Sequence, residues 1–301
     1  MAVLGIMIEG QEGLNWERWR RLCRDVEALG FDSLWRSDHV HSVVSEEPRD
    51  GIEAWTSLAL AAEWTGRVEF GPLVSPMTFR QPALLARMAA AVDALAGGRL
   101  VLGIGAGWNE REHSIHEVPF PSTRERMDLL EHGIGVIRRE LERALPQPPR
   151  RIPLLIGGSG ERRVLRLVAE HADEWNFNVR GVENATHLTA VLASHCRDVG
   201  RDPASIRRSM MTSFLVGRDR ADLEDRAAGV GRLLPSMAGL SPGEILAQLG
   251  ARWPVGTPDQ VAAWFRPYIE LGVDRFMLQH FLMDDSDALS LLASEVAPAI
   301  A

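Results

Sequence analysis

A rhythm constrains this chain more than any other feature. A short apolar run of strand length is followed by a segment with apolar residues at helical spacing, and the pair recurs eight times from end to end. The first run is Val3 to Ile8. The segment after it, Trp16 to Leu29, carries Trp16, Trp19, Leu22, Cys23, Val26 and Leu29 on one face and stops at Gly30. Later strands are expected at 31–35, 68–74, 100–104, 152–156, 174–177, 206–216 and 273–278. The helices between them include Ala54 to Trp64 and Pro82 to Leu95, the latter with proline in its first turn. Strands that alternate with helices pair in parallel, and eight such units close an α/β barrel. The fold expected is a single (β/α)8 TIM barrel over residues 1–301, with an open doubly wound sheet as its competitor.

Two stretches interrupt the rhythm. Residues 105–123 read as a long irregular loop after the fourth strand, and about 219–254 insert helical material between the seventh strand and its helix. Both fall at the C-terminal ends of strands, where barrels build their sites. Composition narrows the function classes. Net charge is −8 with no long basic run, which argues against a nucleic-acid partner. No apolar run reaches the roughly 18 residues of a membrane span. The start, Met1 to Ile8, has neither a basic segment nor a cleavage site. A cytoplasmic enzyme acting on a small molecule is expected. The two cysteines, Cys23 and Cys196, sit in apolar helical patterns and read as buried thiols.

Candidate chemistry lies at the strand ends. The second strand runs into Ser37-Asp38-His39, a carboxylate beside an imidazole that titrates near neutrality. The third ends in a proline-flanked apolar pair, Leu73-Val74. The fourth continues into Gly103-Ile104-Gly105-Ala106-Gly107-Trp108-Asn109, where spaced glycines admit a ligand close to the backbone. The fifth ends in Gly157-Gly158-Ser159-Gly160 directly before a helix, whose amides and dipole suit a phosphate. Glu9 closes the first strand, Asn176 and Phe177 the sixth, and His280 and Phe281 the eighth. Trp55, Trp108, Phe177 and Phe281, with His280 beside them, suggest an apolar, partly aromatic substrate pocket. His113 and His116 have metal-like spacing but read as surface loop histidines, and no metal is expected.

The Ser37–His39 turn, the 71–80 segment and the 97–110 run resemble the bacterial luciferase-like family, closest to its F420-dependent oxidoreductase branch. The resemblance covers nearly the whole chain. It implies a deazaflavin or flavin ring in the barrel mouth beside Asp38 and His39. Leu73 and Val74 would back the ring, often through a non-proline cis peptide. Gly105, Ala106, Gly107 and Asn176 would lie near the coenzyme, and Gly157 to Gly160 would take its phosphate. From the residue types themselves, His39 is expected to carry the proton with Asp38 orienting it, and Glu9 and His280 stand next in line. The resemblance also implies a homodimer. Coenzyme F420 would make the chain a hydride-transferring reductase or dehydrogenase, whereas flavin mononucleotide would make it a monooxygenase. Two other classes compete. His39-Val-His41 has the form used by metal-dependent barrel hydrolases, but the ends of the fifth and sixth strands carry glycines and asparagines where such enzymes need histidines. A non-catalytic flavin-binding protein is the second.

Overall fold

The computed structural model describes residues 1–178 and 180–301. Nine parallel strands form one sheet around a filled centre: β1 (Val3–Ile8), β2 (Ser33–Arg36), β3 (Glu69–Pro72), β4 (Ser75–Pro76), β5 (Leu102–Gly105), β6 (Leu154–Gly157), β7 (Glu174–Asn178), β8 (Arg207–Ser213) and β11 (Arg275–Gln279). The hydrogen-bonded order runs β3-β2-β1-β11-β8-β7-β6-β5-β4. The sheet's two ends, β3 and β4, are successive pieces of one stave. A bridge from Phe70 to Leu100 pairs the lower piece, and Ser75 opposite Ile104 pairs the upper one, with the strand that follows. The barrel therefore closes on eight staves. The expected continuous third strand is corrected here: the cis peptide between Leu73 and Val74 lies between its two pieces.

Alternation along each strand sorts the side chains. Ile6, Leu34, Phe70, Ile104, Ile156, Trp175, Phe177 and Phe276 pack outward in the large apolar layer shared with the helices. Met7, Trp35, Leu73, Val101, Leu155 and Met277 fill the interior, with Val74 and Met211 against them. The surrounding helices include α1 (Trp16–Ala28), α2 (Ala54–Trp64), α3 (Pro82–Leu95), α4 (Glu110–Ile115), α5 (Thr123–Glu142), α6 (Val164–His171) and α7 (Val182–Asp198). α1 is capped by Asn15, whose side chain accepts from Arg18 N, and α5 by a capping box of Ser122 and Glu125.

The expected insertion is present. It holds α8 (Arg220–Leu233) and α9 (Pro242–Gly250), which share their own apolar cluster with Leu215, and a two-stranded sheet of β9 (Leu215–Val216) and β10 (Val255–Gly256) flanks it. The helices α10 (Pro258–Glu270), α11 (Ser286–Leu291) and α12 (Ala297–Ile300) complete the chain. Residues 105–123, expected to be irregular, contain α4, capped by Asn109. Both cysteines are buried. Among the described residues no helix is long and apolar enough to cross a membrane.

Candidate active site

The barrel mouth is shaped first by Val74. A Cβ added at Gly105 would lie 2.7 Å from Val74 Cγ2, and one at Gly157 or Gly103 would meet Val74 Cγ1 at 3.0 or 3.2 Å. Gly105 and Gly157 thus leave room for the valine, whereas Gly103 chiefly admits the Pro72 carbonyl oxygen, 2.1 Å from where its Cβ would lie. This corrects the expectation that the gap at Gly105 is open to a ligand. A Cβ at Gly107, which has φ +80°, would lie 2.4 Å from Thr78 Oγ1, and Ala106 beside it is partly exposed. Val74 itself is partly exposed, backed by the buried Leu73.

Asp38 stands over this bulge. Its carboxylate accepts from Ser75 Oγ at 2.5 Å and from Arg80 Nε at 3.0 Å and Nη2 at 2.5 Å. Trp55 Nε1 donates to Ser75 Oγ at 3.0 Å, and Arg80 reaches on to Glu53, which caps α2. Asp38 therefore clamps the Val74–Ser75 segment. The expectation that it orients His39 is corrected, because both its oxygens are turned to Arg80 and Ser75. Trp55, expected in the substrate wall, is buried beneath this clamp.

His39 takes its partner from another loop. Its Nδ1 lies 2.8 Å from Glu112 Oε2, and the other carboxylate oxygen accepts from the amides of Val40 and, at 3.3 Å, His41. Glu112 is 2% exposed. Burial favours its neutral form, but the bonds from His39 and the two amides outweigh this and hold the carboxyl below its usual range. Burial likewise opposes charge on His39, and Glu112 with the nearby Glu9 and Asp38 overcomes it and raises the imidazole pKa. An ionised carboxylate only accepts, so Nδ1 carries a proton and Nε2 is the atom that titrates. Among the described residues Nε2 makes no hydrogen bond. The Trp108 ring stands edge-on to the imidazole, 5.5 Å between centroids. Sequence reasoning missed Glu112. The signal was Asn109 three residues ahead of it, a helix cap whose side chain accepts from Glu112 N.

Glu9 points into the mouth from β1 and is 6% exposed. Gln11 Nε2 donates to it at 2.7 Å and Gln279 Nε2 donates to its other oxygen. Ser37 Oγ donates to Gln11 Oε1 at 2.6 Å, so a chain of side-chain bonds rings this edge. Beside it the buried Arg36 guanidinium is brought down by burial to about 10.

The glycine turn after β6 is partly spent on the fold. Gly158, at φ +126°, donates its N–H to Asn176 O at 2.9 Å, which removes that amide from the expected phosphate nest. Ser159 and Gly160 are at least partly exposed, and among the described residues their amides and the Ser159 hydroxyl have no partner. A turn over 161–163 separates them from α6, so the helix does not start directly after Gly160. The Asn176 side chain faces the interior and donates to Ser209 Oγ at 3.0 Å.

The remaining aromatic candidates lie elsewhere than expected. Phe177 stacks on Trp175 at 4.6 Å in the outer layer, because alternation aims Asn176 inward and Phe177 outward. His280 is 3% exposed and stacked on Phe214, and burial lowers its pKa to about 4. Phe281 stacks on Trp253 against the insertion. Of the five substrate candidates, Trp108 is the one that touches His39 and is broadly exposed, at 65%. His113 is buried between Phe79 and Phe120, with Nδ1 bonded to Asn109 O, and is no surface residue. Among the described residues no cluster of histidine, cysteine and carboxylates is arranged to hold a metal.

The model of the luciferase-like monooxygenase family matches residues 5–275. The chain belongs to that family. It is 27% identical over 303 residues to an F420-dependent hydroxymycolic acid dehydrogenase of Mycobacterium tuberculosis, covering 90% of this chain and 81% of that one. It is 31% identical over 266 residues to a phthiodiolone/phenolphthiodiolone dimycocerosates ketoreductase of Mycobacterium bovis, covering 76% of this chain and 68% of that one. The fold also matches the solved structure of an F420-dependent secondary alcohol dehydrogenase in complex with an F420-acetone adduct, with a TM-score of 0.82 at 20% identity and full coverage of both chains. The cis peptide expected from the family resemblance is present at Leu73–Val74.

Proposed function

We propose that this enzyme is an F420-dependent oxidoreductase that interconverts a carbonyl and a secondary alcohol, with His39 as its proton carrier. The observation that carries this reading is the His39–Glu112 pair, 2.8 Å apart at the barrel mouth with Nε2 unpartnered. Redox relatives that use F420 or reduce a ketone support it. The residues present fit the coenzyme. Ser159 and Gly160 offer two free amides and a hydroxyl to a phosphate, and the exposed side of Val74 offers an apolar backing for a flat ring. With reduced F420 bound there, the coenzyme would supply the hydride, with its two electrons, for turning the carbonyl into a carbinol.

The chain's own groups supply the proton and the geometry. In the reducing direction, protonated His39 donates from Nε2 to the carbonyl oxygen, and Glu112 stabilises the charged ring beforehand. In the oxidising direction, neutral Nε2 takes the alcohol proton. Asp38 and Arg80 hold the Val74 bulge in place. His39→Ala is expected to lower turnover by about 100- to 10,000-fold while F420 affinity stays within a few-fold. Fluorescence titration with F420 and with flavin mononucleotide, alongside steady-state assays, checks both points. Tight flavin binding without F420 binding overturns the coenzyme assignment. Loss of F420 binding in His39→Ala makes the histidine a binding group and moves the proton role to Glu9.

A further inference from the structure

Three exposed apolar side chains lie on the two segments that bring His39 and Glu112 together. Trp108 is 65% exposed, Val40 43% and Ile115 44%. Each stands by the His39–Glu112 pair: Val40 follows His39 and gives its N–H to Glu112, the Trp108 ring abuts His39, and Ile115 follows Glu112 by one turn of α4. A cluster of exposed apolar side chains next to a catalytic group marks a binding surface more than it marks chance. Among the described residues, Met7, Trp35, Leu73, Val101, Leu155 and Met277 pack together in the barrel interior below the mouth. A substrate whose reacting carbon lies at His39 Nε2 must carry the rest of its body outward, across this rim.

We infer that the substrate is a ketone or secondary alcohol borne on an extended hydrocarbon body, which lies over Trp108, Val40 and Ile115. This rests on the proposed carbonyl chemistry and adds the substrate class. Trp108 is then the principal specificity-determining residue.

The test uses the F420-loaded enzyme and the series acetone, 2-butanone, 2-hexanone, 2-octanone and 2-decanone, with calorimetric binding of 2-decanol as a readout independent of turnover. In the unaltered enzyme kcat/KM should rise about threefold to fourfold for each methylene that the rim covers. Trp108→Ala should reduce the 2-decanone to acetone preference by about tenfold or more, and weaken 2-decanol binding to match. Trp108→Phe, which keeps a ring, should retain most of the preference and guards against a folding defect. A flat series in the unaltered enzyme overturns the inference and leaves the redox reading standing. So does an equal loss across the series in Trp108→Ala, which would assign the rim to support of His39 or to contact with a second copy. If no ketone is reduced yet 2-decanol binds in a Trp108-dependent way, the rim is still the surface that takes the hydrocarbon body, but the redox reading and the ketone assignment that rests on it fall. If neither is seen, both fall.

Discussion

The two ends of this barrel bury charge in opposite ways. At the bottom, Arg275 is fully buried and lies 2.7 Å from Asp32, 2.6 Å from Glu69 and 3.0 Å from Glu174. Arg207 and Arg150 add to Glu69, so this cluster of carboxylates meets a full set of guanidinium groups. At the mouth, Glu9 is held by the amides of Gln11 and Gln279, and His39 has one nitrogen paired and one free. Compensated charge plugs the barrel; charge left partly uncompensated is available for chemistry. The same strands supply both ends, and the difference lies in which partners the loops bring.

The largest expected effect falls at the bottom. Arg275→Met removes the one cation shared by three buried or half-buried carboxylates and should cost about 3–5 kcal/mol of stability in urea unfolding. F420 affinity, measured where the variant is folded, should stay as it was. A cost near zero would break the comparison by showing the plug to be ornamental. Next comes Gly105→Ala at the mouth. Its Cβ would meet Val74 Cγ2 at 2.7 Å, an overpacking worth about 1–3 kcal/mol. Adding Val74→Ala should recover part of that stability while F420 binding stays weak, and full recovery of binding would remove the valine from the coenzyme surface.

Glu112→Gln sharpens the comparison through pH. The carboxylate raises the His39 pKa, so the ketone-reducing rate of the unaltered enzyme should fall as pH rises through that raised value. In the variant this alkaline limb should move to lower pH, with little change in F420 affinity, as a kcat/KM profile would show. An unmoved limb would mean that another group carries the proton. Stability follows the same signs. The His39 contribution is present at low pH and fades as pH rises through its folded pKa. The Glu112 contribution is present at high pH and fades as pH falls through its depressed value.

The smallest expected effect concerns His280, near Asp284, Asp285, Arg21 and Arg226. Burial keeps its ring neutral down to about 4, whereas the unfolded ring protonates near 6.5, so stability is lost as pH falls through that window. His280→Phe should make Tm fall less steeply over that range in a thermal melt series. An unchanged slope would assign the loss to the carboxylates.

Much of the scaffold was legible and little of the wiring was. Val3–Ile8, Ala54–Trp64 and Pro82–Leu95 appear in the structure with the bounds read from their apolar period, because long periodic segments advertise their buried face. The six-residue α4 gave no such signal: Glu110, Arg111, Glu112 and His113 show no apolar stripe. With it Glu112 was hidden, since its bond to His39 spans 73 residues of chain. Gly105 and Gly157 were visible, but their cause, the Val74 side chain, was not, because one residue's rotamer leaves no periodic trace. Ser37-Asp38-His39 was found as a motif and misread in its pairing: adjacency in sequence placed Asp38 beside His39, while the fold turned it to Arg80.

The reach of Glu112 over the split third stave has a consequence for how the chain divides its labour. His39, Asp38, Arg80, Val74 and Glu112 all precede Pro146, and the glycine turn proposed to anchor the coenzyme begins at Gly157. Protonation and anchoring are thus separate modules along the gene, cut at a surface loop. A chimera that exchanges everything beyond that loop for the same region of a relative would take its donor's grip on the coenzyme phosphate and keep this chain's ring backing and acid–base pair, so each half of such a barrel is free to diverge at its own pace.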